Sequence, residues 1–508
     1  MHVASQICFR RCNSYDSKRQ GRPSQPGKVA VIPYADFTFF GLLLYAVIPT
    51  LILGLFGRAG WRWSLLVTAA LLIVQYHGLL HVRSDFPVRE IWIVIGFAVW
   101  QWVTVRAFAG TGARRRWLFY AAIGTSLLPL AAAKLIPMVS PGSQFGFLGI
   151  SYVTFRALDI VFCLRDKVIV APGTLDLLMF LFFFPTISAG PIDRYQRFAS
   201  DWRRKRTRAE FLVDLDGAVH RLFRGFLYKF IVAALIKQHW LEPAARSGSF
   251  RALLSYMYAY SFYLFFDFAG YSAFAIALSY LFGIHTPENF RRPFLARNIR
   301  DFWNRWHITL SFWFRDHVYM RFLLAAGRGK WFASLHTAAI LGYFLAFGLM
   351  GLWHGIEPHY IIYGLYQATL LSVFHVFSTW NKVHHYWREG PLSNALAIFI
   401  TFHFVCFGLL IFSGRIGVAP LPHHVGKIER TDYNEISGDK SKPNAQADIE
   451  LWDGEQRLMA FCAHQFRQDP LDAGYGNGRH AFRIPIPPVF KDGQSHLMHL
   501  RFLGQKGI

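Results

Sequence analysis

Apolar runs of membrane-spanning length recur along this chain, and arginine or lysine marks many of the gaps between them. A helix needs about 20 mainly apolar residues to cross a bilayer. Candidate stretches lie at 37–56, 62–80, 90–109, 117–137, 144–164, 174–192, 219–237, 251–267, 268–284, 332–353, 359–378 and 395–413. Only 17% of the 508 residues are charged, against roughly 25% in soluble domains. Hydrophobic residues make up 53%, with 50 Phe, 22 Tyr and 16 Trp. In water that composition would leave a large oily surface, so the chain reads as an all-α polytopic membrane protein.

The net charge of +24 could suggest nucleic acid. The basic residues, however, cluster between apolar runs, as at Arg114, Arg115 and Arg116 and at Arg203, Arg204, Lys205, Arg206 and Arg208. Cytoplasmic loops of membrane proteins are loaded in this way. The expected partner is therefore the lipid bilayer, with no nucleic acid. Five cysteines show no paired ligand pattern, and Cys8 and Cys12 have no partner pair or histidine at metal spacing, so neither a disulfide framework nor a metal site is expected.

Two stretches are not simple crossings. Residues 252–284 are too long for one straight span, and a break is expected around Asp267-Phe268-Ala269-Gly270. The stretch from Lys330 to Lys382 must hold two crossings, joined at 353–358, where Gly355 and Pro358 favour a tight corner. No internal repeat is evident, which weakens a secondary-transporter reading.

Four regions follow from composition. Residues 1–35 are polar and basic with no apolar run before Ile32, so they are not a secretory signal but a disordered arm, or precede a true start near Val29 or Val31. Residues 36–413 form the transmembrane domain. Residues 414–445, rich in Gly, Pro, Asn, Asp and Lys, read as a linker. Residues 446–508 read as a small β module: Asp453-Gly454 and Asp492-Gly493 are hairpin signals, and Met498, Leu500 and Phe502 alternate with His499 and Arg501.

Four segments place costly polar groups beside or within apolar runs, where such groups signal function. Residues 183–195 break an apolar run with Pro185, Gly190 and Pro191, and Asp193 and Arg194 follow; the plain alternative is a span end with a surface ion pair. Asp267 is the sole charge in its long apolar stretch, so it is paired, protonated or facing a cavity. Within 300–316, read as one helix, Arg300, Asn304, His307, Ser311 and Arg315 share a wet stripe, while Phe302, Trp306, Leu310 and Trp313 share an apolar one. Such a helix lies in the membrane interface or lines a water-filled tunnel. Finally, His354 ends a spanning run between Trp353 and Gly355. An imidazole with an unperturbed pKa of about 6.5 can take the proton of an attacking alcohol. The plain alternative for any single histidine is a buried ring held by hydrogen bonds. The pairs His384-His385 and His423-His424 read as solvated loops.

Together the segments "FLGISYVTFRALD" (147–159), "GPIDRYQRF" (190–198), "LFFDFAGYS" (264–272), "NFRRPFLARNIRDFWNRWHITLSFWFRDHVYMR" (289–321) and "GLWHGIEPHYIIYG" (351–364) resemble the membrane-bound O-acyltransferase family. The likeness runs from about Phe37 to Ser413 and is greater to the D-alanyl transfer branch than to the alginate O-acetylase branch. It implies a ring of about 11 tilted spanning helices around a central tunnel. It also implies catalytic roles for His354 and His307, which match the family's two polar positions. Asp267, Asn304, Trp306, Trp353, Ser311, Arg300, Asp193 and Arg194 would line the tunnel or bind substrate. In this picture His354 takes the hydroxyl proton, and His307, with Asn304, orients or stabilises the tetrahedral oxyanion. Arg291, Arg292, Arg297 and Arg300 face the carrier or donor phosphates, or simply mark the cytoplasmic side. No bound cofactor is implied. The acyl donor is a thioester, on a phosphopantetheinyl acyl carrier protein or as acyl-CoA. The acceptor is a hydroxyl of an extracytoplasmic glycan or teichoic-acid-like polymer at the bacterial inner membrane. The acyl group is D-alanyl or acetyl-like, although by reaction class the expectation is an O-acyltransferase of groups other than amino-acyl or D-alanyl. The rivals are a transporter or flippase and a scaffold subunit of a polysaccharide synthesis complex.

Overall fold

A computed structural model describes residues 33–35, 37–58, 60–77, 89–111, 115–139, 146–246, 248–388 and 390–416, together with the backbone of strands between 426 and 502. The chain divides into two compact units: a helical body, chiefly Pro26–Glu242 with Leu254–Val418, and a second unit that includes Ala419–Ile508. The expected arm at 1–35 falls almost wholly outside the described residues, as do His423, His424 and the turn at Asp492-Gly493.

Helices follow in the order α1 (Phe37–Leu55), α2 (Trp61–His77), α3 (Arg89–Gly110), α4 (Arg116–Val139), α5 (Ile150–Arg165), α6 (Thr174–Phe182), α7 (Tyr195–Trp202) and α8 (Arg208–Phe226). Two π-helical turns, Leu227–Val232 and Lys237–Leu241, prolong α8. Then come α9 (Phe250–Leu281), α10 (Ile299–Trp303), α11 (Ile308–Phe314), α12 (Met320–Gly329), α13 (Leu335–His354), α14 (Pro358–His384) and α15 (Pro391–Phe412). The second unit contributes β1 (Gly426–Thr431), β2 (Glu435–Lys440), β3 (Ala447–Asp453), β4 (Gln456–Ala463), β5 (Gln465–Phe466), β6 (Arg479–Pro485) and β7 (Met498–Phe502), in two antiparallel sheets ordered β1-β2-β6-β5 and β4-β3-β7.

Among the described residues, six helices are long and apolar enough to cross a membrane: Ile91–Gly110, Arg116–Ile136, Phe250–Leu281, Leu335–His354, Pro358–His384 and Pro391–Phe412. Shorter apolar helices occupy Phe39–Leu55, Arg62–Ile73 and Thr174–Thr186. The remaining candidate stretches differ for physical reasons. The run at 174–192 stops being α-helical at Phe182, because Pro185 cannot continue the ladder and a 3-10 turn, Phe184–Thr186, follows. The run at 219–237 lies partly in the polar α8 and partly in the first π turn.

The expected break at 267–270 does not occur. α9 is one helix of 32 residues, about 48 Å long at 1.5 Å per residue. Asp267 does not unwind it, because the ammonium of Lys229 from the π turn beside it pairs with the carboxylate. Gly270 serves close approach: a Cβ there would lie 2.9 Å from the Lys229 backbone nitrogen and 3.1 Å from the Gly225 carbonyl oxygen. The corner at 353–358 does occur, since α13 ends at His354 and α14 begins with Pro358.

α13 and α14 touch backbone to backbone. A Cβ on Gly351 would lie 2.5 Å from the Tyr360 carbonyl oxygen, and one on Gly364 would collide with the Phe347 carbonyl oxygen. Backbone cannot move aside as a flexible side chain can. Gly364→Ala is therefore expected to lower stability by about 1–3 kcal/mol, read as a fall in the melting temperature of the detergent-solubilised chain.

Candidate active site

His307 does not lie on a wet helical stripe. The segment 300–316 is broken between α10 and α11, and His307 occupies the break with φ of 42°, in the left-handed region. That backbone turns the ring inward, to 3% exposure, with the Phe268 ring edge-on at 4.8 Å. Trp306 and Ser311 are also buried, while Asn304, Arg300 and Arg315 are exposed. Trp306 packs among Phe265, Phe290, Phe294 and Phe302. Ser311 donates to the Trp306 carbonyl oxygen at 3.1 Å, and the Arg300 guanidinium lies over the Phe374 ring. A single helix carrying His307 on its basic face is thus corrected to two short helices with the histidine buried at their junction.

The residue that holds His307 is Asn289. His307 Nδ1 lies 3.1 Å from Asn289 Oδ1, which also takes the Thr309 hydroxyl at 2.9 Å and the Thr309 backbone N–H at 3.4 Å. A backbone N–H can only donate, which fixes that atom as the oxygen of the amide and His307 Nδ1 as the protonated nitrogen. Nε2 then carries the lone pair, and it is buried with no partner among the described residues. Burial pushes the imidazole down to about 3, so the ring stays neutral at ordinary pH. A neutral ring in this tautomer accepts a hydrogen bond at Nε2 and cannot donate one to an oxyanion. The expected oxyanion role of His307 with Asn304 does not fit this geometry.

His354 is the last residue of α13, half-buried, with its ring 4.5 Å from that of Trp353 and edge-on to Phe412 at 4.9 Å. The carbonyl oxygen of Trp353, at the end of the helix, accepts from the Lys134 ammonium. The Trp353 ring packs on Tyr152 at 6.1 Å and on Phe155 at 5.3 Å.

The segment 183–195 lies between the two histidines in this web of contacts. Tyr152, buried, lies against Gly190, where a Cβ would come within 2.8 Å of the Tyr152 ring. Two residues on, the Ile192 backbone N–H donates to Thr309 Oγ1 at 3.1 Å, beside His307. Tyr271 binds the same corner through its hydroxyl, at Ser188 and at the Ala189 backbone N–H. Contacts therefore run from His307 through Thr309, Ile192, Gly190, Tyr152 and Trp353 to His354.

Asp193 and Arg194 do not pair with each other at a surface. Asp193, 3% exposed, pairs with Arg197, and burial pushes its carboxyl above the usual carboxylate range against the pull of that arginine. Arg194 reaches the fully buried Asp159 at 2.8 Å, Asp316 at 2.8 Å, and His317. Both residues anchor the segment rather than project from it. Asp267 faces Lys229, and its neighbour Phe268 is the residue that meets His307. Arg291, Arg292 and Arg297 are exposed. Sequence reasoning singled out neither Asn289, Tyr152, Arg156, Asp159 nor Lys134, although the first four stood inside quoted motifs.

Residues 62–413 match the MBOAT, membrane-bound O-acyltransferase family. The chain belongs to that family. As an MBOAT protein it is a multi-pass membrane protein. Its relatives include the teichoic acid D-alanyltransferase of Bacillus subtilis (strain 168), 42% identical over 402 residues, which cover 77% of this chain and 99% of that protein. The teichoic acid D-alanyltransferase of Lacticaseibacillus rhamnosus is 37% identical over 400 residues, covering 75% and 97%. The probable alginate O-acetylase AlgI of Pseudomonas syringae pv. tomato is 28% identical over 398 residues, covering 73% and 71%. These relatives support an MBOAT acyltransferase acting on cell-envelope polymers. They overturn one expectation: with D-alanyltransferases at 42% and 37% identity, transfer of D-alanyl groups cannot be set aside by reaction class.

Proposed function

We propose that this MBOAT protein transfers a D-alanyl group from a thioester to a hydroxyl of a teichoic-acid-like polymer, at the outer face of a bacterial cytoplasmic membrane. The observation that carries the reading is the place of His354, at the helix end remote from the basic one. Arg58, Arg115, Arg116, Arg165, Lys167, Arg203, Arg204 and Lys205 lie at or beside the ends of α1–α8 that meet around Asp166 and Asp176. α13 ends away from that cluster, since α4, which starts in it at Arg116, reaches the Trp353 carbonyl with Lys134 near its opposite end. Basic ends face the cytoplasm, so the end of α13 with Trp353 and His354 faces away from it.

The relatives support D-alanyl as the acyl group and a teichoic acid as the acceptor. The family likeness supports a donor thioester on a phosphopantetheinyl carrier protein, arriving from the cytoplasm into a tunnel within a ring of about 11 tilted helices. The acceptor oxygen attacks the thioester carbonyl carbon while His354 takes its proton. The tetrahedral intermediate collapses as the C–S bond breaks. The leaving thiolate takes the proton back from the imidazolium, giving an ester and a free thiol. His307, neutral and fixed by Asn289, offers Nε2 as an acceptor to a substrate donor other than the attacking hydroxyl, such as the ammonium of the D-alanyl group.

The test uses the purified full chain in proteoliposomes, with radiolabelled D-alanine carried on a phosphopantetheinyl carrier protein and a lipid-linked poly(glycerol phosphate) acceptor. Label fixed in the polymer and released by mild base is the expected result. Label that crosses the bilayer without forming ester would instead favour a transporter, and no ester in any arm would remove the enzymatic reading.

A further inference from the structure

The proposed reaction places negative charge on the thioester carbonyl oxygen, and a neutral His307 has no hydrogen to offer it. A buried donor must come from elsewhere in the site. The Tyr152 hydroxyl is buried yet has no hydrogen-bond partner among the described residues. Buried polar groups are rarely left so, and each one asks for an explanation. Packing does not explain this one. The Tyr152 ring lies among Gly190, Trp353 and its neighbours as a phenylalanine would, and the chain uses 50 Phe against 22 Tyr. The only thing the hydroxyl adds is a buried, unused donor.

Its position suits that use. Tyr152 Cε1, next to the carbon bearing the hydroxyl, is the ring atom nearest to Gly190, at the corner that leads to His307. On its other side stands Trp353, whose indole Nε1–H is likewise buried and unpartnered. Trp353 is joined by its peptide bond to His354. Two unused donors, on Tyr152 and Trp353, thus flank the path between the two imidazoles.

We propose that Tyr152 is a further catalytic residue, whose phenolic O–H donates to the oxygen of the thioester carbonyl as it becomes an oxyanion. The inference rests on the acyl-transfer reading above. When the hydroxyl oxygen of the acceptor bonds to the carbonyl carbon, the C=O π pair moves to oxygen and is held there by the Tyr152 hydrogen bond. The pair returns as the C–S bond breaks, and the phenol keeps its proton throughout.

The decisive variant is Tyr152→Phe, which removes one oxygen and keeps the ring. Its kcat for ester formation from the D-alanyl carrier-protein donor is expected to fall about 10²- to 10³-fold, with little change in KM. Its melting temperature is expected to stay level or rise, because the lost hydroxyl bonded to none of the described residues. A hydroxyl with only a structural role would leave kcat alone, and kcat within about threefold of the unmodified chain overturns the proposal. Tyr152→3-fluorotyrosine and Tyr152→3,5-difluorotyrosine provide a second reading that does not depend on stability. A donor role predicts that kcat responds to the acidity of the phenol, and a flat series overturns it. Failure of the underlying reading looks different: then the unmodified chain itself forms no ester, whereas failure of the Tyr152 role leaves that activity intact.

Discussion

Replacing His354 with alanine is expected to cut ester formation by about 10²- to 10⁴-fold, while the chain stays folded in detergent. The magnitude follows from chemistry. An alcohol is a poor nucleophile at neutral pH, and a positioned base is what makes its oxygen attack. His354 is also a modest part of the packing: it is half-buried, and its ring meets those of Trp353, Tyr360 and Phe412. Removing the ring leaves the backbone-to-backbone seam of Gly351 and Gly364 untouched. The assay is transfer of label from the thioester donor, beside a melting curve of the same preparation. Activity that survives in a folded His354→Ala protein would remove the base from the mechanism. His354→Gln, which keeps a polar side chain but no basic nitrogen, should be equally impaired. Recovery in that variant alone would point to hydrogen bonding rather than proton transfer as the job done at this position.

Much of this site was legible because membrane burial makes polar groups conspicuous. His354 stood out as an imidazole closing a spanning run, and Asp267 as a lone carboxylate in apolar sequence; the structure gives Asp267 its partner in Lys229. What pattern could not give was backbone geometry. A period of three to four across 300–316 read as one helix, but the left-handed residue at His307 breaks it, and His307 and Ser311 go inside while Arg300, Asn304 and Arg315 stay exposed. The same limit hid Asn289, which is brought to His307 by pairing of 289–291 with 305–308, through Arg291 N–H to the Arg305 carbonyl and Ile308 N–H to the Asn289 carbonyl. Tyr152 was unreadable for a different reason. In a chain with 17% aromatic residues, one tyrosine among many gives no signal, and only its lack of a partner marks it. The long helix α9 shows the converse error. A Gly and an Asp in one stretch suggested a break, whereas the neighbouring helix uses the first for approach and neutralises the second.

Arg156→Met is the substitution expected to cost most in stability, at about 3 kcal/mol or more, because three or more buried acceptors lose their donor at about 1–3 kcal/mol each. Arg156 is only 1% exposed. It donates to the carbonyls of Phe180 and Leu181 at 3.0 Å each, to the Thr186 carbonyl at 2.8 Å, and to the Thr186 hydroxyl. Those carbonyls belong to the end of α6 and the turn beyond it, where the helix ladder has run out and lipid offers no water in exchange. Methionine regains part of the loss, since burying a guanidinium is itself expensive and the thioether fills similar volume. It cannot replace the donors, and at the end of a broken helix inside a membrane protein the unpaired acceptors dominate. Arg156→Lys should also be destabilised, because one ammonium cannot reach acceptors spread across a planar fork. The consequence for function is indirect but measurable. The turn held by Arg156 leads straight into Ser188, Gly190 and Ile192, which pack on Tyr271, Tyr152 and Thr309. Loosening it should lower transfer even at temperatures where the variant remains folded, and a melting temperature equal to that of the unmodified chain would show that the corner is held by something other than this arginine.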